Sequence, residues 1–182
     1  MLAIGLAGCV TIPPDTRIGP AERVTDLAVV AVMPLQHPSL AFGLSESLCV
    51  GLATVLAARN ADALVVFPRE VAERLSLSPL LRDWARFLIA FRDSNTVNGG
   101  TVIALGRLLE VSGIVVLSLF TGDESAPAAI ELAVFECAGG RLEWAGSSPL
   151  EPLGTLATED EVARLHRNVM ELLDSLPPLR RR

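Results

Sequence analysis

The chain has no tyrosine, and all 15 of its basic residues are arginine, so lysine is absent too. That bias reads as base composition of the coding sequence rather than chemistry. Histidine is nearly missing as well, with only His37 and His166. No His, Cys, Asp and Glu residues recur at metal-ligand spacing, which points away from a zinc centre, and no cofactor is expected. There is no uninterrupted apolar run of about 18 residues, so no spanning helix is expected. There is no glycine-rich phosphate loop, since Asn98-Gly99-Gly100 reads as a turn. The net charge of −6 lacks the basic footprint that a phosphate backbone requires, so no nucleic-acid partner is expected.

Catalytic patterns are missing in the same way. Ser45 and Ser47 lie in Gly43-Leu44-Ser45-Glu46-Ser47, which is not the strand-to-helix nucleophile elbow, and they read as serines on a helix surface. Glu159, Asp160 and Glu161 stand together, but acids at a helix start complement its dipole. No catalytic residue is assigned, and the chain is not expected to be an enzyme.

What is present is apolar. Hydrophobic residues make up 51% of the chain and mean hydropathy is +0.47. At 182 residues this suffices for one domain with a full core. The most informative stretch is Leu6-Ala7-Gly8-Cys9. A short apolar run leads into two small residues and a cysteine, the pattern of a bacterial lipoprotein signal. Small residues let a peptidase approach the backbone, and the Cys9 thiol can carry a diacylglyceryl group. Signal peptides run about 15 to 30 residues with a basic start. Only eight residues, none of them basic, precede Cys9, so either the signal begins further upstream or the match is accidental. Val10 is not the Asp that retains many such proteins in the inner membrane, which favours the inner leaflet of the outer membrane, facing the periplasm.

The resulting division is a signal remnant at 1–8, a flexible proline-containing tether at 9–26, one α/β domain at 27–176 and a disordered basic tail at 177–182. The tail's three arginines fall short of the about four to eight basic residues that mark anionic-lipid binding. The other cysteines, Cys49 and Cys137, have two readings: a disulfide in an oxidising compartment, or two buried small hydrophobes.

Leu27 to Met33 is a continuous apolar run stopped by Pro34, a strand buried on both faces. A helix follows from about Leu40 to Arg59, with Leu44, Leu48, Leu52, Val55 and Leu56 on one stripe and Asn60 ending it. Ala63 to Phe67 is a short strand, and Pro68 starts a helical turn to Leu75. Ser78 caps a helix in which Leu80, Leu81, Trp84, Phe87, Leu88 and Phe91 repeat at helical spacing. Asn95 to Gly100 reads as a turn-rich break and Thr101 to Glu110 as a short helix. Gly113 to Phe120 is a third strand. Ile130 to Cys137 and Arg141 to Gly146 form a hairpin about Ala138-Gly139-Gly140. Thr158 to Glu161 is a capping box opening a last helix, with Leu165, Val169, Leu172 and Leu173 inward. The order β-α-β-α-α-α-β-β-β-α predicts a single mixed sheet, parallel in its first half and antiparallel in its C-terminal hairpin, covered by helices.

This order resembles the α/β domain shared by curli-secretion lipoproteins, penicillin-binding-protein activator lipoproteins and the amino-terminal domain of the Tol–Pal translocation protein B. Four stretches carry the resemblance: Val29 to Pro34 as opening strand, Leu44 to Leu48 opening the next helix, Leu105 to Val116 as a leucine-glycine helix leading into a valine-rich strand, and Phe135 to Trp144 as a hairpin with a tryptophan on its second strand. The resemblance implies a membrane contact through lipidated Cys9 and either an envelope protein partner or a homo-oligomer. Pore-forming members carry two additional long hairpins, which this chain does not provide. The expected role is a non-catalytic, lipid-anchored adaptor in the cell envelope. The alternative is a subunit of an envelope-spanning secretion or transport assembly, and a cell-wall-active enzyme is less favoured. The helix with Arg82, Trp84, Arg86, Phe87 and Phe91 is the candidate partner surface, with core packing as the plain reading of its aromatic stripe and a solvated face that of its arginines.

Overall fold

The computed structural model describes residues 9–11, 27–35, 37, 40–94, 96–120, 129–150 and 158–179. The elements are β1 (Cys9–Thr11), β2 (Val29–Val32), α1 (Phe42–Arg59), β3 (Leu64–Val66), α2 (Pro68–Ser76), α3 (Leu80–Ser94), β4 (Thr96–Asn98), α4 (Gly99–Leu109), β5 (Gly113–Phe120), β6 (Ala129–Glu136), β7 (Arg141–Pro149) and α5 (Glu159–Ser175). Five strands form one sheet in the order β3-β2-β5-β6-β7. β3 and β5 run parallel to β2, while β6 and β7 complete the sheet antiparallel. The mixed sheet is the one the sequence order predicts.

Alternation along each strand sends side chains to two cores, one on either face. On the first face Val30, Val32, Val115, Leu117, Leu132, Val134 and Trp144 meet α1 and α5. On the second, Ala31, Met33, Ile114, Val116, Ala133 and Phe135 meet α2, α3 and α4. Burial on both faces explains why β2 and β5 read as unbroken apolar runs rather than alternating ones. The crossovers fit as well. The chain moves from β2 to β3 through α1, then reverses direction across β2 to β5 through α2–α4, and right-handed connections of opposite direction cover opposite faces.

The two buried cysteines are free. Cys49 packs in the first core and Cys137 in the second, so the sheet stands between them and excludes the disulfide alternative. Ser45 also departs from expectation: it is buried rather than on the helix surface, while Ser47 is exposed.

Three segments depart from the sequence reading. The break expected at Asn95–Gly100 instead holds β4, and Gly99 and Gly100 open α4. Asn98 Oδ1 accepts from the Thr101 N–H at 3.2 Å, which starts that helix. β4 pairs antiparallel with β1, Cys9 opposite Asn98 and Thr11 opposite Thr96. The expected tether at 9–26 therefore begins as a paired strand, and its residues 12–26 lie outside the described ones, as do 1–8. At the other terminus, Leu179 is buried, and its N–H donates to Asn60 Oδ1 at 2.8 Å. Asn60 also donates from Nδ2 to the Leu56 carbonyl at 2.9 Å, so one buried side chain ends α1 and fastens the segment after α5. Arg180 to Arg182 lie outside the described residues.

Candidate functional site on helix α3

Helix α3 starts where Ser78 Oγ accepts from the Leu80 N–H at 3.2 Å. Its inward stripe is aromatic. Trp84 stacks on Phe87 at 5.2 Å between ring centroids, and Phe87 on Phe91 at 5.9 Å. Phe135 of β6 meets Phe87 and Phe91 edge-on, both at 5.4 Å. These geometries suit ring quadrupoles and fill the second core. Trp84, Phe87 and Phe91 are thus buried. Of the five residues marked as a candidate partner surface, only Arg82 and Arg86 stand on the exterior. The stripe that looked most like an interface is spent on holding the helix to the sheet.

The outer side of α3 is not uniformly polar. Leu81 is 45% exposed and Ile89 53% exposed. With exposed Ala85 between them at i+4 spacing, they form a second apolar line, about 12 Å long by helical rise. Arg82 and Arg86 flank it. Arg86 lies 3.7 Å from Asp83, an exposed and long ion pair that contributes little to stability.

Beside this line opens a cleft of about 230 Å³. Its walls are Ala85, Leu88 and Ile89 of α3, the segment Pro34–Leu35 with His37, and Val116 to Leu119 of β5. It lies at the carboxyl ends of parallel strands β2 and β5, the edge where open α/β sheets form crevices. Deeper along the sheet, Ser118, Glu131 and Ser147 sit directly opposite one another on β5, β6 and β7. Alternation puts this polar row on the α3 side, since the neighbouring Val116 and Ala133 belong to the second core. Burial pushes the Glu131 carboxyl up from 4.5 to about 7, because a charged carboxylate loses solvation there. Sequence reasoning passed over Glu131 although a signal was present: an acid inside the apolar run of a strand with both faces covered.

The remaining candidates do not gather at this site. His37 lines the cleft, whereas His166 is on α5, where its Cε1 would lie 3.9 Å from a Cβ at Gly51 of α1, across the sheet. Cys49 Sγ accepts from the Leu35 N–H at 3.3 Å, and burial pushes its thiol up to about 11. Burial, then the charge of Glu136, pushes Cys137 to about 12. Both are protonated and inert at neutral pH. Thr158 and Glu161 form the expected capping box, so the acids at 159–161 open α5. Among the described residues no three His, Cys, Asp or Glu groups could hold a metal ion. Among them, too, no helix is long and apolar enough to cross a membrane. Cys9 enters through its backbone alone, as the first residue of β1.

A mixed sheet with helices on both faces places the chain in the α/β class. No family model and no curated protein matches it. Among solved structures it is similar to the lipoprotein GNA1162 from Neisseria meningitidis, at 13% identity and TM-score 0.48 over 81% of this chain and 96% of that one. It is similar to the LpoB C-terminal domain from Salmonella enterica at 16% identity and TM-score 0.40, over 69% of this chain and 84% of that one. A third similarity is to PelC from Paraburkholderia phytofirmans, a dodecamer, at 11% identity and TM-score 0.35, over 87% of this chain and 91% of that one. Such similarities describe a chain path and assign no residue a role.

Proposed function

We propose that this protein is a lipid-anchored, non-catalytic binding module of the bacterial cell envelope, held through Cys9 in the inner leaflet of the outer membrane and facing the periplasm. Its partner is a protein captured on the outer face of α3. The observation that carries the binding role is the second apolar line of α3, Leu81, Ala85 and Ile89, lying open beside a cleft although the helix already has a buried aromatic stripe. The anchor rests on Leu6-Ala7-Gly8-Cys9 and the membrane choice on Val10.

Arg82 and Arg86 favour an acidic partner segment with apolar anchors. Finishing the burial of two half-exposed aliphatic side chains contributes about 1 kcal/mol each. The line therefore supplies register and a modest share of affinity, and the arginines steer the encounter. The test is capture from envelope extracts by the lipidated protein, compared with a Leu81→Asp/Ile89→Asp variant and an Arg82→Glu/Arg86→Glu variant. Both variants change exposed side chains, so both should fold. Loss of the captured protein in each supports the reading; retention in both removes α3 as the interface. Self-association lost in the same variants would make the partner a second copy. Intact mass of the protein from its host membrane checks the anchor, since an unmodified Cys9 would remove it.

A further inference from the structure

The register of β1 makes a statement about how the domain sits on a bilayer, and it rests on the reading of Cys9 as the lipidated residue. Cys9 is the first residue of a strand paired with β4, opposite Asn98. Asn98 precedes Gly99, and a Cβ placed on Gly99 would lie 2.9 Å from the Gly140 carbonyl oxygen in the β6–β7 turn. That turn is at the end of the sheet where β5 begins, since the Cys137 N–H donates to the Ser112 carbonyl at 2.8 Å. The cleft is at the other end, bordered by Leu35, His37 and Leu119. From Gly113 to Leu119 the strand rises about 20 Å.

We infer that the end of the domain formed by the β1–β4 ladder and the β6–β7 turn is a membrane-facing surface, docked on the lipid headgroups, and that the cleft beside α3 is held pointing away from the bilayer. A free tether over residues 9–26 would let the domain wander about 23 Å from its anchor and present any side to the membrane. Pairing of the anchor residue itself removes that freedom. The lipid attached at Cys9 leaves the protein from a fixed point of the fold, and the adjoining turn, with Ala138 and Gly139 exposed, is set against the headgroups. The partner surface then stands off the bilayer by the length of the sheet, within reach of a periplasmic protein.

The test uses the full lipidated protein in vesicles carrying a headgroup quencher, with a fluorophore at Ala138→Cys or at Ala85→Cys. Cys49 and Cys137 are buried and stay unlabelled. We expect several-fold stronger quenching at position 138 than at position 85. Inserting a Gly-Ser linker between Cys9 and Val10 leaves the lipidation site intact and should bring the two positions level. Equal quenching without the linker, in protein whose mass shows the lipid on Cys9, overturns the docked orientation and leaves the anchor standing. A mass without lipid overturns the anchor and the orientation together.

Discussion

Substituting Glu131 with Gln removes one charge and keeps the shape of the side chain. In the folded chain the carboxyl titrates near 7 instead of 4.5, because it lies half-buried between Ser118 and Ser147 on a sheet face covered by α3. The folded state therefore holds its proton more tightly than the unfolded state does. Below pH 4.5 both states are protonated and the residue costs nothing. As pH rises from 4.5 to about 7 the unfolded chain ionises first, so stability falls, and above about 7 the loss is complete. A separation of this size corresponds to about 3 kcal/mol, lowered to about 2 kcal/mol by the water that still reaches the half-buried group. For a domain of this length that is about 4 to 8 °C in Tm.

The assay is unfolding followed by circular dichroism, wild type against Glu131→Gln, at several values between about pH 4 and about pH 8. Taking the difference between the two proteins cancels every other titrating group. The variant should match the wild type at the acid end and exceed it by about 2 kcal/mol at the alkaline end. If the difference is flat, the carboxyl titrates as it does in the unfolded chain; if the wild type gains on the variant as pH rises, the carboxylate is charged and held by a partner; either result refutes the desolvation argument.

Three further outcomes follow from the packing. Phe87→Ala should destabilise the fold by about 3 to 5 kcal/mol in urea titrations, since it empties the middle of the stack between Trp84, Phe91 and Phe135. Glu110 closes α4 in the left-handed region at φ 57 with an exposed side chain, so Glu110→Gly should stabilise by about 1 kcal/mol in the same titration. Thiol titration of the folded domain should leave Cys49 and Cys137 unreacted until denaturant is added, and reductant should not change the Tm. A reductant-sensitive Tm would mean that the sheet does not separate the two.

How far the sequence could be read depended on whether one segment carried enough information by itself. β2, β5 and the capping box of α5 were readable because continuous β-branched runs and a Thr-x-x-Glu spacing are local signals. β4 was not. Thr96-Val97-Asn98 is three residues long, its strand identity comes from pairing with β1 85 to 89 residues away, and Asn98-Gly99-Gly100 has the composition of a turn. The fate of Leu179 was hidden in the same way, since only the fold brings Asn60 beneath it. On α3 the spacing of Trp84, Phe87 and Phe91 identified a buried stripe correctly but invited a functional reading of the same residues. Periodicity tells which residues share a side of a helix, and it does not tell which side meets the sheet. The apolar residues on the other side, Ile89 and also Leu81, which helical spacing had grouped with the aromatic stripe but which is 45% exposed, become visible only once the first side is seen to be filled.

Exposed apolar residues occur elsewhere, so the choice of α3 needs a reason beyond exposure. Leu77 is the most exposed of them, at 90%, but it is alone on the α2–α3 connection, and single surface leucines are ordinary. Leu64 and Phe67 are a stronger competitor, being exposed at and just beyond β3, which forms one edge of the sheet. β3, however, is only three residues long, which is too short a template for adding another strand. Leu81, Ala85 and Ile89 differ on three counts: they share a line on a long helix, two of them (Ala85 and Ile89) line a cleft, and arginines flank them. A Leu64→Asp/Phe67→Asp variant should therefore capture the envelope partner as well as the wild type does, while Leu81→Asp/Ile89→Asp should not. The reverse result would move the interface to the β3 edge and leave the α3 line as surplus hydrophobicity in a chain that is 51% apolar.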